Sequence, residues 1–458
     1  MIDTVAPGHA ITERHADIPE ATDVVDAVHR GVRLAIGVTA VASFTVHVVR
    51  AGTGRDFVFG AIPAFDVEGT RNVVAWITST VFLVAAACCA VAATVSRRRD
   101  PALGWWTLGG LHAAFSVTRL TGTALLFAWP VAAVGILAAA ALARAWPRAI
   151  RSRVAIVMAL LPVGAPVLAS VGLEGIGLAS AERALEWSSA MAAIAAAMQA
   201  CAEECNGRLL VLPAPVDAGV ALRGIATLRV RASGARALGA AAIAIVMAAS
   251  LISLGCRNVL GPDVERWYRF FYVDFEGNLP TWFSSMLLAA CAAVAAAVAL
   301  AERAGGRPLW PDWTLLAGGL LAMSCDEAAS LHELLVSPMR ALVDDTRWLR
   351  YPLIVPGGVL VIAAVALQNR FLRALPADSR RLLVVAGAVF VIGALGLETV
   401  GGWYDPVVHG DSATYVALAS AEEACEMAGA CQALYAILRH LERHVGPFTL
   451  RLSSSARP

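Results

Sequence analysis

An all-α, polytopic membrane protein is the fold class the sequence predicts, with about twelve transmembrane helices in two tandem, parallel six-helix repeats. Three observations predict it. The 458 residues are 58% hydrophobic and only 16% charged, with a mean hydropathy of +0.68, which leaves a soluble core no polar surface to present to water. Apolar runs of about 18 residues or more recur along the chain, each long enough to cross the hydrocarbon as a helix. Segments of the first half also match segments of the second.

The predicted spans are 31–49, 73–95, 105–123, 127–145, 152–172 and 178–200, then 238–257, 281–301, 313–336, 352–368, 382–400 and 413–438. The organisation that follows is a polar N-terminal tail (1–30), a first six-helix unit (31–205), a linker (206–237), a second unit (238–440) and a C-terminal tail (441–458). The first thirty residues mix charges, without the basic patch and apolar core of a signal peptide. Every basic side chain except histidine is Arg, and the arginines sort between alternate loops, apart from Arg266, Arg269, Arg347 and Arg350, which lie in outer loops mixed with acids. Arg97–Arg99, Arg144, Arg148, Arg151, Arg153, Arg208, Arg223, Arg229 and Arg231 fall on one side, joined by Arg303, Arg307, Arg370, Arg373, Arg380, Arg381, Arg439 and Arg443. By the positive-inside rule that side is cytoplasmic, with both termini inside a bacterial cytoplasmic membrane. A net charge of +1 and the lack of a basic, aromatic-interleaved stripe give no case for nucleic acid.

The repeat is read from "FDVEGTRNVVAW" against "VDFEGNLPTW", "WWTLGGLHAAFSV" against "DWTLLAGGLLAMSC", "SVGLEG" against "ALGLET", and "LEWSSAMAAIAAAMQA" against "EEACEMAGACQALYA". Aligning Gly109 with Gly318 sets Val117, Thr118, Thr123 and Ala124 against Asp326, Glu327, His332 and Glu333. The polar site therefore belongs to the second half, which also has an outer insertion within "VSPMRALVDDTRWLRYPL".

Charged side chains at a bilayer centre cost roughly 2.5–3.5 kcal/mol each on insertion scales. The stretch "MSCDEAASLHELL" nevertheless carries Asp326, Glu327, His332 and Glu333. At the helical rise, Asp326 lies about 15 Å below the outer end of its span, and Asp326 and Glu333 share a face. Glu422 and Glu426, at i and i+4 in the last span, point the same way. Glu398 ends another span on the outer side, Tyr404 follows it, and Asp274, Glu276 and Asn278 open a fourth. Clustered carboxylates in low dielectric share protons, pair with Arg, or hold a cation.

These motifs resemble those of a group of uncharacterised bacterial polytopic membrane proteins. The shared pattern is an acid–Asn–(Leu/Ile)–Pro–Thr element, a Ser-x-Asp-Glu…His-Glu element and a Glu-Glu…Glu-Met-x-Gly element. It falls here on Glu276, Asn278, Pro280, Thr281, Ser324, Asp326, Glu327, His332, Glu333, Glu398, Glu422, Glu423, Glu426 and Met427. The resemblance covers roughly residues 265–440 and implies no activity. Cys325 and Cys425 stand beside the acids where the pattern has apolar residues.

Two function classes answer to these residues. In the first, Asp326, His332, Glu333, Glu422, Glu426, Glu398 and Glu276 hold a divalent metal (Zn, Mn or Fe), with Glu327, Glu423 and Tyr404 as candidate catalytic groups. The chain is then a metal-dependent, hydrolase-like enzyme acting on a lipid or other amphiphile from the outer side. In the second, the same acids serve a proton- or cation-coupled transporter. A sensor or assembly factor is the third reading, and a purely structural knot of protonated acids is the bland one. His440 and His444 in "HLERH" and the lone His112 read as structural. Arg119 reads as snorkelling, or as neutralising an acid across the pseudo-twofold axis. "WYRFFY" (267–272) reads as an interfacial aromatic belt or a re-entrant lip.

Overall fold

The structure is a computed structural model that describes residues 21–53, 65, 72–95, 99–122, 186–197, 200, 207–213, 226–228, 231–333, 354–403, 412–445 and 448–454. The fold is helical. In the first half the helices are α1 (Ala21–Thr53), α2 (Val73–Val95), α3 (Arg99–Thr121) and α4 (186–197). In the second half they are α5 (Ala232–Leu260), α6 (Glu265–Phe271), α7 (Leu279–Ala304), α8 (Trp310–Ala329), α9 (Ile354–Ala374), α10 (Ala377–Val391), α11 (Glu398–Trp403) and α12 (Ala413–His440).

Five described helical segments are long and apolar enough to cross a membrane: Val73–Thr94, Ala232–Phe271, Leu279–Ala304, Ile354–Ala374 and Ala377–Gly402. The predicted span at 73–95 matches α2, whereas the helix predicted at 31–49 begins earlier, at Ala21 within the expected polar tail. The predicted spans 127–145 and 152–172 and the outer insertion lie outside the described residues. Leu251 and Ile252 on α5, Ile362 on α9 and Val385 on α10 are exposed, as expected of side chains that face lipid rather than a protein core.

The linker and the C-terminal tail pair with each other. Strands β1 (Gly207–Pro213), β2 (Ala226–Leu228) and β3 (Phe448–Ser454) form an antiparallel sheet in the order β1-β3-β2, registered from Gly207 against Ser454 to Pro213 against Phe448. The physical reason lies in "RLLVLP" and "FTLRLS", which are too short to span and rich in residues that pair well edge to edge. Near the same end, Glu442 Oε1 accepts the backbone N–H of Ala232 at 2.7 Å and caps α5.

Two helical hairpins carry the same internal contacts. In α2–α3, Asn72 Oδ1 accepts the N–H of Ala75 at 2.9 Å, Ser79 Oγ bonds the Ser116 carbonyl at 2.8 Å, and Trp105 is buried. In α7–α8, Asn278 Oδ1 accepts the N–H of Thr281 at 3.1 Å, Ser285 Oγ bonds the Ser324 carbonyl at 2.7 Å, and Trp313 is buried. The hairpins then exchange bonds: Trp76 Nε1 donates to Ser324 Oγ at 3.0 Å and Trp282 Nε1 to Ser116 Oγ at 2.9 Å. These contacts match Trp105 with Trp313 and Ser116 with Ser324, one residue off the register that aligns Gly109 with Gly318. One residue is a rotation of about 100° on a helix, so the site residues are compared in the corrected register below.

Asn278 does more than cap α7, since its Nδ2 also donates to the Tyr272 carbonyl. The "NLPT" element is thus a helix start, with Pro280 in the first turn where its missing N–H costs nothing. Replacing Asn278 by Ala removes both bonds at a buried position and is expected to cost about 1–2 kcal/mol. Thermal unfolding in detergent should report a lowered midpoint, and an unchanged midpoint would contradict the capping role.

Candidate functional site

Helix α8 stops at Ala329 because Ser330 turns into the left-handed region, with φ 48° and ψ 43°. The chain then folds back over the last helical turn. Asp326 Oδ1 accepts the backbone N–H of His332 at 2.8 Å, and Asp326 Oδ2 lies 3.0 Å from His332 Nδ1. An ionised carboxylate only accepts, so His332 Nδ1–H donates to Asp326 Oδ2. Glu276, in the loop before α7, faces the other ring nitrogen, with its Oε1 3.9 Å from His332 Nε2. Its other oxygen takes the Ser330 hydroxyl proton in a hydrogen bond. Both members of the Asp326–His332 pair keep 41% of their side-chain surface exposed, so the pair stands at an open mouth rather than in the core.

The predicted common face of Asp326 and Glu333 is not formed. The helix ends between them, the reversal at Ser330 takes Glu333 out of register, and Glu333 stands exposed. Sequence spacing could not anticipate this, because the reversal depends on Asp326 reaching over to the His332 backbone.

The remaining acids gather behind the mouth. Glu327 reaches the Ser284 hydroxyl on α7. Glu423 on α12 is within electrostatic reach of Glu327, Glu426, Glu422 and Asp274. Glu426 is within reach of Glu327, Glu422, Glu398 and Asp326. Helices α8 and α12 meet across α7, which packs on both, rather than lying side by side. On its other flank α12 is pressed against a π-helical segment, Ile392–Leu397, that leads into Glu398. The fit there needs Gly393: a Cβ would come within 2.8 Å of the Glu422 carbonyl and 3.0 Å of Glu426 Cγ. π-helical insertions recur at functional sites because they re-aim the side chains that follow.

Glu276, Asp326, Glu327, His332, Glu398, Glu422, Glu423 and Glu426 therefore come from four segments toward one region. Tyr404 lies outside the described residues. Among the described residues, no three His, Cys, Asp or Glu side chains are close enough to form a metal cluster. Two groups were missed by sequence reasoning. Ser330 offered no signal beyond its place between two motif residues, and Tyr415, whose hydroxyl donates to Asp274 Oδ1 at 3.2 Å, looked like an ordinary residue at a helix start.

The matched position in the first half carries the opposite charge. In the register fixed by Trp105 and Ser116, Arg119 stands where the second half has Glu327. Arg119 Nε lies 3.9 Å from Glu186 on α4, an ion pair within its own half. The histidines read as structural find separate partners: His440 Nδ1 with Ser379 Oγ at 2.9 Å, His444 Nε2 with Asp378 Oδ1 at 3.0 Å, and His112 Nδ1 with the Leu108 carbonyl at 2.9 Å. In "WYRFFY", Trp267 is exposed while Tyr268, Phe270 and Tyr272 are buried, so half of the run is packing.

The family model of a domain of unknown function, DUF8692, matches residues 218–441, which include the whole candidate site. No curated protein and no solved structure matches the chain.

Proposed function

We propose that the chain is a membrane-embedded, metal-dependent enzyme, hydrolase-like, that acts on a lipid or other amphiphile from the outer side of the bacterial cytoplasmic membrane. The observation that carries this reading is the Asp326–His332–Glu276 arrangement. A carboxylate on Nδ1 orients the ring, and a second carboxylate lies 3.9 Å from Nε2. This is the disposition of a carboxylate-oriented histidine ligand. His332 and Glu276 would hold the ion, with Asp326 orienting the ring and Glu422, Glu426 and Glu398 extending the acidic wall. A divalent ion (Zn, Mn or Fe) supplies a bound water of lowered pKa and a polarised substrate oxygen. In the hydrolysis, the water oxygen bonds to the acyl or phosphoryl centre, the bond to the leaving oxygen breaks, and the proton released by water passes to that oxygen. Glu327 and Glu423 are candidates for handling that proton.

The wider architecture belongs to the same reading. It has about twelve spans in two tandem six-helix repeats related by an axis along the membrane normal, with both termini cytoplasmic. The exchanged Trp76–Ser324 and Trp282–Ser116 bonds support the repeat, and the arginine asymmetry supports the orientation.

Purified in mild detergent without chelator, the protein is expected to carry a divalent metal in stoichiometric amount by elemental analysis. His332→Ala should lose most of it. A metal-free wild type would favour the second reading, a proton- or cation-coupled transporter. Its specific support is the run of mutually close acids from Asp326 through Glu327 and Glu426 to Glu423. Cation- or pH-driven uptake in proteoliposomes would then be the expected activity.

A further inference from the structure

We propose that the π-helical turn Leu441–Val445, which follows α12, is a latch: it holds α12 to α5, α10 and the α7–α8 turn at once, and it releases them together.

Every tie is a polar bond. Glu442 Oε1 accepts the backbone N–H of Ala232 at 2.7 Å, and its Oε2 takes Arg439 Nη1 at 3.4 Å. Arg231, at the N-cap of α5, makes no side-chain cap bond, so α5 takes its cap from beyond the end of α12. On α10 one carboxylate receives two neighbours. Arg443 Nη1 donates to Asp378 Oδ2 at 3.0 Å, and His444 Nε2 lies 3.0 Å from Asp378 Oδ1. From the α7–α8 turn, Arg307 Nη1 donates to the His444 carbonyl at 2.8 Å and to Glu302 Oε1 at 2.9 Å. One turn earlier, His440 Nδ1 and Ser379 Oγ are 2.9 Å apart.

A helix end needs its last carbonyls satisfied and nothing more. This one reaches three other elements, and through charges rather than packing. Further along, α12 meets α10 by close packing of Gly429 on Phe390, where no charge takes part. Charged ties differ in being open to competition. Asp378 keeps 36% of its side-chain surface exposed and Arg443 49%, so ions and water reach both. π-helical geometry is itself rare and recurs at functional sites.

The turn is also placed to pass a movement on. Strand β3 begins at Phe448, just past Val445, and β2 ends at Leu228, just before Ala232. The sheet that joins linker and tail thus leads by short connections into both partners of the Glu442–Ala232 bond. In the other direction α12 runs unbroken back to Glu426, roughly 25 Å away at the helical rise. Release frees the far end of the helix that carries Glu422, Glu423 and Glu426.

Cys431 on α12 reports release. It is buried, with its thiol 3.9 Å from the Arg236 carbonyl on α5. Alkylation of the full chain in detergent by N-ethylmaleimide is followed cysteine by cysteine with mass spectrometry. Asp378→Arg cuts the tie to α10, not the tie to α5, yet should raise the Cys431 rate about 5- to 30-fold, the scale of a lost local stabilisation. Adding Arg443→Asp re-forms the pair in reverse and should bring the rate back toward wild type. Glu442→Ala, at the α5 tie, should raise it comparably. Asp378→Asn, of the same size, should show a smaller rise and serves if the Arg variant does not fold. Cys256, exposed near the other end of α5, should react at the wild-type rate throughout. A Cys431 rate that the Asp378 variants leave unchanged overturns the latch. So does a rise that the double variant fails to reverse, which is general loosening.

Discussion

Replacing Gly429 by Val is expected to destabilise the protein by about 3 kcal/mol or more, the upper part of the range for overpacking. A Cβ on Gly429 would lie 2.7 Å from the backbone nitrogen and 2.8 Å from the Cα of Phe390, so it meets main chain that cannot swing aside. Gly393, in the π-helical segment that follows α10, makes the reciprocal approach toward the Glu422 carbonyl. Relief requires α10 and α12 to separate, and α12 carries Glu422, Glu423 and Glu426. Gly429→Val and Gly393→Val should therefore lower the detergent unfolding midpoint sharply, with Gly393→Ala intermediate. Gly358→Ala is the control, since a Cβ there meets nothing within 4 Å. Equal midpoints across the set would show that this contact does not fix α12.

The second large effect is expected at Asp326. Asp326→Asn keeps an oxygen for the His332 backbone N–H, so the turn after α8 should survive. Its amide nitrogen would then face Nδ1, and two donors cannot share one bond. The ring must then present N–H at Nε2, the nitrogen proposed to hold the ion. Metal affinity should fall about 10- to 100-fold while the unfolding midpoint of the metal-free protein stays close to wild type. Asp326→Ala should lose metal and also melt lower, because the His332 backbone loses its acceptor. Metal bound with wild-type affinity by Asp326→Asn would remove Asp326 from the site and leave it a turn-forming residue only.

The sequence by itself determined the helical, membrane-crossing character, because hydropathy and span length are sums over local composition and need no partner. It also marked the second half as the one with acids inside its apolar runs. Acids in an apolar run carry a cost that composition makes visible, and Asp326, Glu327, Glu422, Glu423 and Glu426 do converge. Helix periodicity failed where the helix did. Asp326 and Glu333 would share a face only on an unbroken helix, and the reversal at Ser330 depends on Asp326 reaching the His332 backbone six residues on. The strands in the linker and tail were equally hidden, since β1 and β3 find each other only once the intervening helices bring them together. Tertiary structure alone decided the register between the hairpins. The Trp–Ser bonds of the two halves fix it, and with it the comparison of Arg119 with Glu327. Residue types are written in the chain, but which atoms of Asp326, His332, Glu276 and Ser330 face one another is set by where α7 and α8 are packed.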